Sequence, residues 1–177
     1  MAIWVVYESL WGNTAAIARA IAEGIGDEAV AVSTADTDPA DATSIRALIA
    51  GAPVHGMSLP TSQSLLSAAG KKADESHAAP RVDEPLMRTW LEGLPQLDIP
   101  ATAFDTRVRG PLGRGAATAI IRAESAKGCT LLAQPKGFRV DFRNAGPDEA
   151  DLLKDGELAK ARAWGQQLAT SLAAAAA

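Results

Sequence analysis

The chain has 177 residues, 47% of them hydrophobic, and a formal net charge of −4 at pH 7. That length and apolar content suit one globular domain with a sizeable core, and the mildly acidic balance argues against nonspecific nucleic-acid binding, which needs clustered Lys and Arg. A single cysteine, Cys129, excludes an internal disulfide, and two histidines and one cysteine at scattered positions offer no metal-ligand cluster.

Strand-length apolar runs alternate with helical patterns. Residues 2–7 form a continuous β-branched and aromatic run, as expected of a strand buried on both faces. The run lacks a basic flank and is too short for a signal peptide or a span, so the expectation is a cytoplasmic protein with no membrane segment. From Asn13 to Ile25, Ile17, Ile21 and Ile25 recur at helical spacing, and Gly24 and Gly26 end the helix. Residues 29–32 read as a second strand and the polar stretch 34–42 as a loop. Residues 47–52 read as a third buried strand ending at Pro53.

A helix is expected from about Pro60–Ser62, then an irregular surface segment, Asp74–Asp83, and a second helix over 85–94 with Leu86, Trp90, Leu91 and Leu94 on one face. Residues 101–104 read as a fourth strand, 116–127 as a helix, and 129–133 as a fifth strand that buries Cys129 and is continued by 137–140 beyond a break at Pro135. Arg109 and Arg114 fall in a glycine-rich loop. Pro147-Asp148-Glu149 reads as a helix start, and 156–172 as a long final helix. One domain over 1–172 and an alanine tail over 173–177 follow. Repeated βαβ units predict an α/β fold with a parallel sheet covered on both faces. Ligands in such sheets bind beyond the carboxyl ends of the strands, which directs attention to the loops after the first, third and fourth strands.

The first of these loops, Glu8-Ser9-Leu10-Trp11-Gly12-Asn13-Thr14, leads straight into a helix. Ser9 and Thr14 offer hydroxyls, Asn13 an amide, Gly12 a close backbone approach, and the first helical N–H groups lack internal partners. The set is suited to a phosphate held without Lys or Arg. An ordinary helix start capped by Ser9 or Asn13 is the other reading. Neither a dinucleotide fingerprint nor a P-loop is present.

The stretch 5–14, followed by Ile17-Ala18 and Ile21-Ala22, resembles the start of flavodoxin-like proteins, whose Ser/Thr-x-Thr-Gly-x-Thr loop wraps the phosphate of FMN. Ser9, Gly12 and Thr14 match, and Trp11 stands where the family has a hydroxyl. Gly51-Ala52-Pro53, Phe104-Asp105-Thr106, Gly156-Glu157 and Ala163-Trp164-Gly165 extend the resemblance along the chain. It implies a doubly wound five-stranded parallel sheet in the order 2-1-3-4-5, FMN as cofactor, and electron transfer to a partner protein or a small-molecule acceptor. The implied site combines Ser9, Leu10, Trp11, Gly12, Asn13 and Thr14 with Pro53, Val54, His55 and Gly56 and with Asp105, Thr106 and Arg107. Flavodoxins close on the isoalloxazine ring with large aromatics from the second and third of these loops. Here neither carries Trp or Tyr, which leaves His55, Met57 and Trp11 as candidates for the ring faces.

Each polar candidate has a plain structural alternative. His55 is a donor or proton carrier, or a solvated loop residue. Arg107 stabilises negative charge on a reduced flavin, or forms an ion pair. Asp105 accepts from the ring edge, or caps the following turn. Two further functions remain open at this point: an FMN-dependent oxidoreductase of the quinone or porphyrinogen type, and a non-redox domain that has kept the fold.

Overall fold

The computed structural model describes residues 1–70, 80–108, 115–144 and 148–175. The apolar run Ile3–Tyr7 forms the central strand β1, flanked in parallel by β2 (Ala29–Ser33) and β3 (Ala47–Pro53). Strand β4 (Pro100–Arg107) pairs with β3, giving the sheet order β2-β1-β3-β4-β5. The expected fifth strand is two short segments, β5 (Thr130–Leu131) and β6 (Lys136–Arg139), each parallel to β4. Pro135 lies between them, and proline cannot donate to a ladder. The register sets Tyr7 beside Ser33 and Gly51, and Pro53 beside Thr106, so the carboxyl ends of β1, β3 and β4 share one edge.

Side chains of β1 alternate between two cores, as strand geometry requires. Ile3 and Val5 pack with Ile17 and Ile21 of α1 (Asn13–Ile25) and with Trp164 and Leu168 of α5 (Glu157–Ala175). Val6 packs on the other face with Met87, Trp90 and Leu91 of α3 (Met87–Glu92) and with Ile120 of α4 (Ala116–Ala126). Each such fully buried side chain contributes about 1.5–3 kcal/mol. Helix α2 (Ser62–Gly70) follows the third strand.

Two close contacts make the α1–α5 side compact. A Cβ on Gly24 would overlap the Arg162 carbonyl, and one on Gly165 would overlap that of Ile21. Next to this crossing, Arg162 Nη2 donates to Glu23 Oε2 at 2.6 Å. Deeper in, the rings of Phe104, Phe138 and Trp164 meet edge to face, with centroids 6.3 and 6.2 Å apart.

Several boundaries differ from the sequence reading. Strand β4 runs on to Arg107, part of the loop 34–42 is a 3-10 helix at Pro39–Ser44, and α5 extends into the alanine run as far as Ala175. Asp148 and Glu149 do not start a helix. They lie in turns that include Ala150 at φ 68, and α5 begins only after Gly156 at φ 81. Most of the segment 74–83, with Arg109 and Arg114, lies outside the described residues. Among those described, no helix is long and apolar enough to cross a membrane.

Candidate functional site

The shared carboxyl edge holds a cavity of about 100 Å³. Ser9, Leu10, Trp11, Asn13 and Thr14 line it from the loop after β1 and the start of α1. Pro53, Val54 and His55 line it from the loop after β3, and Thr106 and Arg107 from the end of β4. Among the described residues, the lining carries no carboxylate. Three residues the sequence did not suggest, Val108, Val140 and Leu152, complete the wall.

The polar groups are arranged as donors. Ser9 Oγ accepts the N–H of Ala15 at 3.2 Å, which occupies a lone pair and leaves the hydroxyl proton available. Thr14 Oγ1 and Thr106 Oγ1 are 2.8 Å apart. Whichever donates, the other keeps a proton to offer. Asn13 is buried and its Oδ1 has no hydrogen-bond partner among the described residues, an arrangement that usually signals a missing ligand or water. The N–H groups of Asn13 and Thr14 belong to the first turn of α1, where no intrahelical acceptor exists and the helix dipole favours an anion.

Gly12 has a different task from the one its place in the loop suggests. It sits at φ 83 outside the cavity lining, and a Cβ there would lie 2.9 Å from Glu149 Cβ and 3.3 Å from Ala150 N. The missing side chain makes room for the 148–152 segment, whose Ala150 N–H donates to the Trp11 carbonyl at 3.2 Å. From the other side the N–H of Arg81 donates to the Leu10 carbonyl at 2.9 Å, and Arg81 Nη2 reaches Glu149 Oε1 at 2.5 Å. The loop is thus held between two distant segments that are tied to each other.

Asp105 is fully buried and lies behind the lining. Its Oδ1 accepts from Arg107 Nε at 2.6 Å, and its Oδ2 accepts from Arg107 Nη2 and from the Ala117 N–H at 3.0 Å. Asp105 therefore anchors the amino end of α4 and holds Arg107 against the site. His55 and Ser58 exchange backbone hydrogen bonds at 3.0 Å, closing a turn in which Met57, at φ 65, is half exposed. Gly56 and Met57 stand outside the cavity lining. The His55 Nδ1 is 3.1 Å from Ser64 Oγ, and burial lowers the imidazole's proton affinity.

Burial also governs three groups away from the cavity. Glu8, next to the loop, has its carboxyl pushed up to about 7 by desolvation, against the opposing N–H of Met87, which donates to Oε2 at 2.8 Å. Glu124 is buried with both oxygens unpartnered, and desolvation raises its carboxyl well above the usual range. Cys129 is a buried thiol pushed up to about 11 by desolvation and by Glu124, which disfavours the thiolate at neutral pH.

No protein-family model matches the sequence. No curated protein matches it either. Solved structures do. An archaeal flavodoxin superimposes with a TM-score of 0.62 at 17% identity, over 98% of this chain and 99% of that one. Flavodoxin 1 from Bacillus cereus gives 0.64 at 15% identity, over 96% and 98%. The Flv1 flavodiiron core from Synechocystis gives 0.59 at 18% identity, over 99% of this chain but 36% of that one. Together with the strand order, these likenesses define a flavodoxin-like α/β fold.

Proposed function

We propose that this protein binds FMN at the carboxyl edge of its sheet and serves in electron transfer. The observation that carries the reading is the cavity in which Ser9, Asn13, Thr14 and Thr106 surround the start of α1, with no carboxylate in the lining among the described residues. That donor set fits a phosphate: hydroxyl protons, an amide and first-turn N–H groups supply hydrogen bonds, and the helix dipole supplies the charge complement. A hydroxyl of the ribityl chain would satisfy the orphaned Asn13 Oδ1.

Pockets that enclose a whole ligand span about 300–1,000 Å³. The enclosed volume here, about 100 Å³, suits the phosphate end alone. Trp11, Val54, His55 and Val108 then offer the apolar surface for a ring at the mouth. When bound, FMN supplies the redox chemistry. The chain's own residues bind, orient and screen. Burial favours the neutral imidazole of His55, and the Ser64 hydroxyl 3.1 Å from Nδ1 orients the ring. Arg107, held by Asp105 from behind, turns the positive end of that ion pair toward the wall, where it would favour the more negative, reduced state of the ring.

The test is a titration of the full chain with FMN, followed in the visible spectrum, then reduction and reoxidation of the bound flavin. Shifted flavin bands and reversible bleaching support the reading. Bands that stay those of free FMN at saturating protein overturn it.

A further inference from the structure

Against the β6 side of the cavity lies a second, more open concavity of about 570 Å³, lined by Val108, Arg139, Val140, Asp141, Arg143 and Lys154. Val108 and Val140 line both hollows, so the two adjoin along these side chains. The groove's carboxylate is already engaged. Asp141 Oδ2 accepts from Arg143 Nη2 at 2.7 Å, and Oδ1 accepts from the Arg143 Nε and backbone N–H at 3.0 Å each. That pair sums to zero charge.

What remains is Arg139 and Lys154, adjacent through the Lys154 N–H to the Arg139 carbonyl at 3.1 Å. The Arg139 Nη1 is buried with no acceptor among the described residues. Glu157 takes the Arg139 backbone N–H on Oε2 and the Lys160 ammonium on Oε1. Among the described residues, two cations outside that ion pair therefore line a concave, partly apolar hollow, on a chain whose net charge is −4.

We propose that this groove binds the phosphate or pyrophosphate group of a small molecule. A guanidinium and an ammonium lining one hollow are the groups that recognise phosphate oxygens. A hollow of this volume suits a small molecule, whereas protein partners engage broad surfaces. A ligand anchored there extends past Val108 and Val140 to the mouth of the first cavity. That it then exchanges electrons rests on the FMN reading; the anion site itself does not.

The experiment is calorimetric titration of inorganic pyrophosphate into the full chain at low ionic strength, with and without saturating FMN. Lys154→Gln and Arg139→Gln are compared with Arg46→Gln, a cation at the opposite edge of the sheet that pairs with Glu28. The expected result is one binding event that weakens about tenfold in each groove variant and is unchanged in Arg46→Gln. Lys154 is exposed, so its variant folds even if the Arg139 variant does not. Equal affinity in Lys154→Gln and wild type, or no binding heat, overturns the proposal. So does competition by FMN, which would put the anion in the first cavity. Pyrophosphate binding that depends on Lys154 in a chain that ignores FMN would remove the FMN reading and leave the groove standing.

Discussion

Thr14 Oγ1 lies 2.8 Å from Thr106 Oγ1, joining the first turn of α1 to the end of β4 across 92 residues of sequence. Both hydroxyls line the cavity, so one contact fixes the local structure and presents a donor. Replacing either residue with Val strands the other hydroxyl in a buried place and should cost about 1 kcal/mol of stability. FMN affinity should fall about tenfold in either variant. The double variant should be less impaired than the sum of the two, because each single change already breaks the shared bond. Flavin fluorescence titration and urea unfolding of the three variants measure this.

Asp105 is fully buried between Arg107 and the start of α4. Asp105→Ala leaves the guanidinium and the Ala117 N–H without their acceptor. Breaking a buried pair from one side costs about 3 kcal/mol or more. Urea denaturation should show that loss, and a change under 1 kcal/mol would mean the pair contributes little.

The buried carboxyls of Glu8 and Glu124 should make stability decline as pH rises from acid toward neutral, against a smaller opposing rise from His55, whose neutral form burial favours. Glu8, raised from 4.5 to about 7, binds its proton more tightly folded than unfolded, and Glu124 is shifted the same way. Their contribution is fully present below the unfolded value near 4.5 and is lost as pH climbs through the folded values. For Glu8 the window runs from 4.5 to about 7 and is worth about 3 kcal/mol. Glu8→Gln keeps an oxygen for the Met87 N–H and should flatten that part of the curve. Glu124→Gln should flatten what persists at higher pH. Chemical denaturation from pH 4 to pH 8 reads both effects.

Gly12→Ala should act on the cover over the loop more than on the phosphate. The added Cβ would press on Glu149 and Ala150, and an L residue at φ 83 costs about 1–2 kcal/mol in its own right. The expected outcome is lower stability and faster amide exchange at Ala150, whose N–H is bonded to the Trp11 carbonyl.

The strands and helices with strong periodicity, β1, α1 and β3 above all, were legible because their patterns are local. The loop after β1 was legible for the same reason: its donors are neighbours in sequence. Val140 and Leu152 were not, because they reach the cavity only through the pairing of β6 with β4 and the return of the 148–152 segment, whereas Val108 simply follows Arg107 in the loop after β4. Arg107 and Asp105 were recognised as site candidates. They share one face of β4, two residues apart, so alternation does not choose between them; the Ala117 N–H draws Asp105 behind the wall and the longer Arg107 reaches the cavity. Pro147-Asp148-Glu149 misled because those residue types suit a helix start equally well as the turns that precede Gly156.

The central claim is that the loop after β1 holds a phosphate. The most direct measurement compares the affinity of the full chain for FMN and for riboflavin, which differ only in that group. Binding of FMN at least tenfold tighter, with the difference lost in Thr14→Val, is the predicted result. Equal affinity for the two flavins would contradict the account.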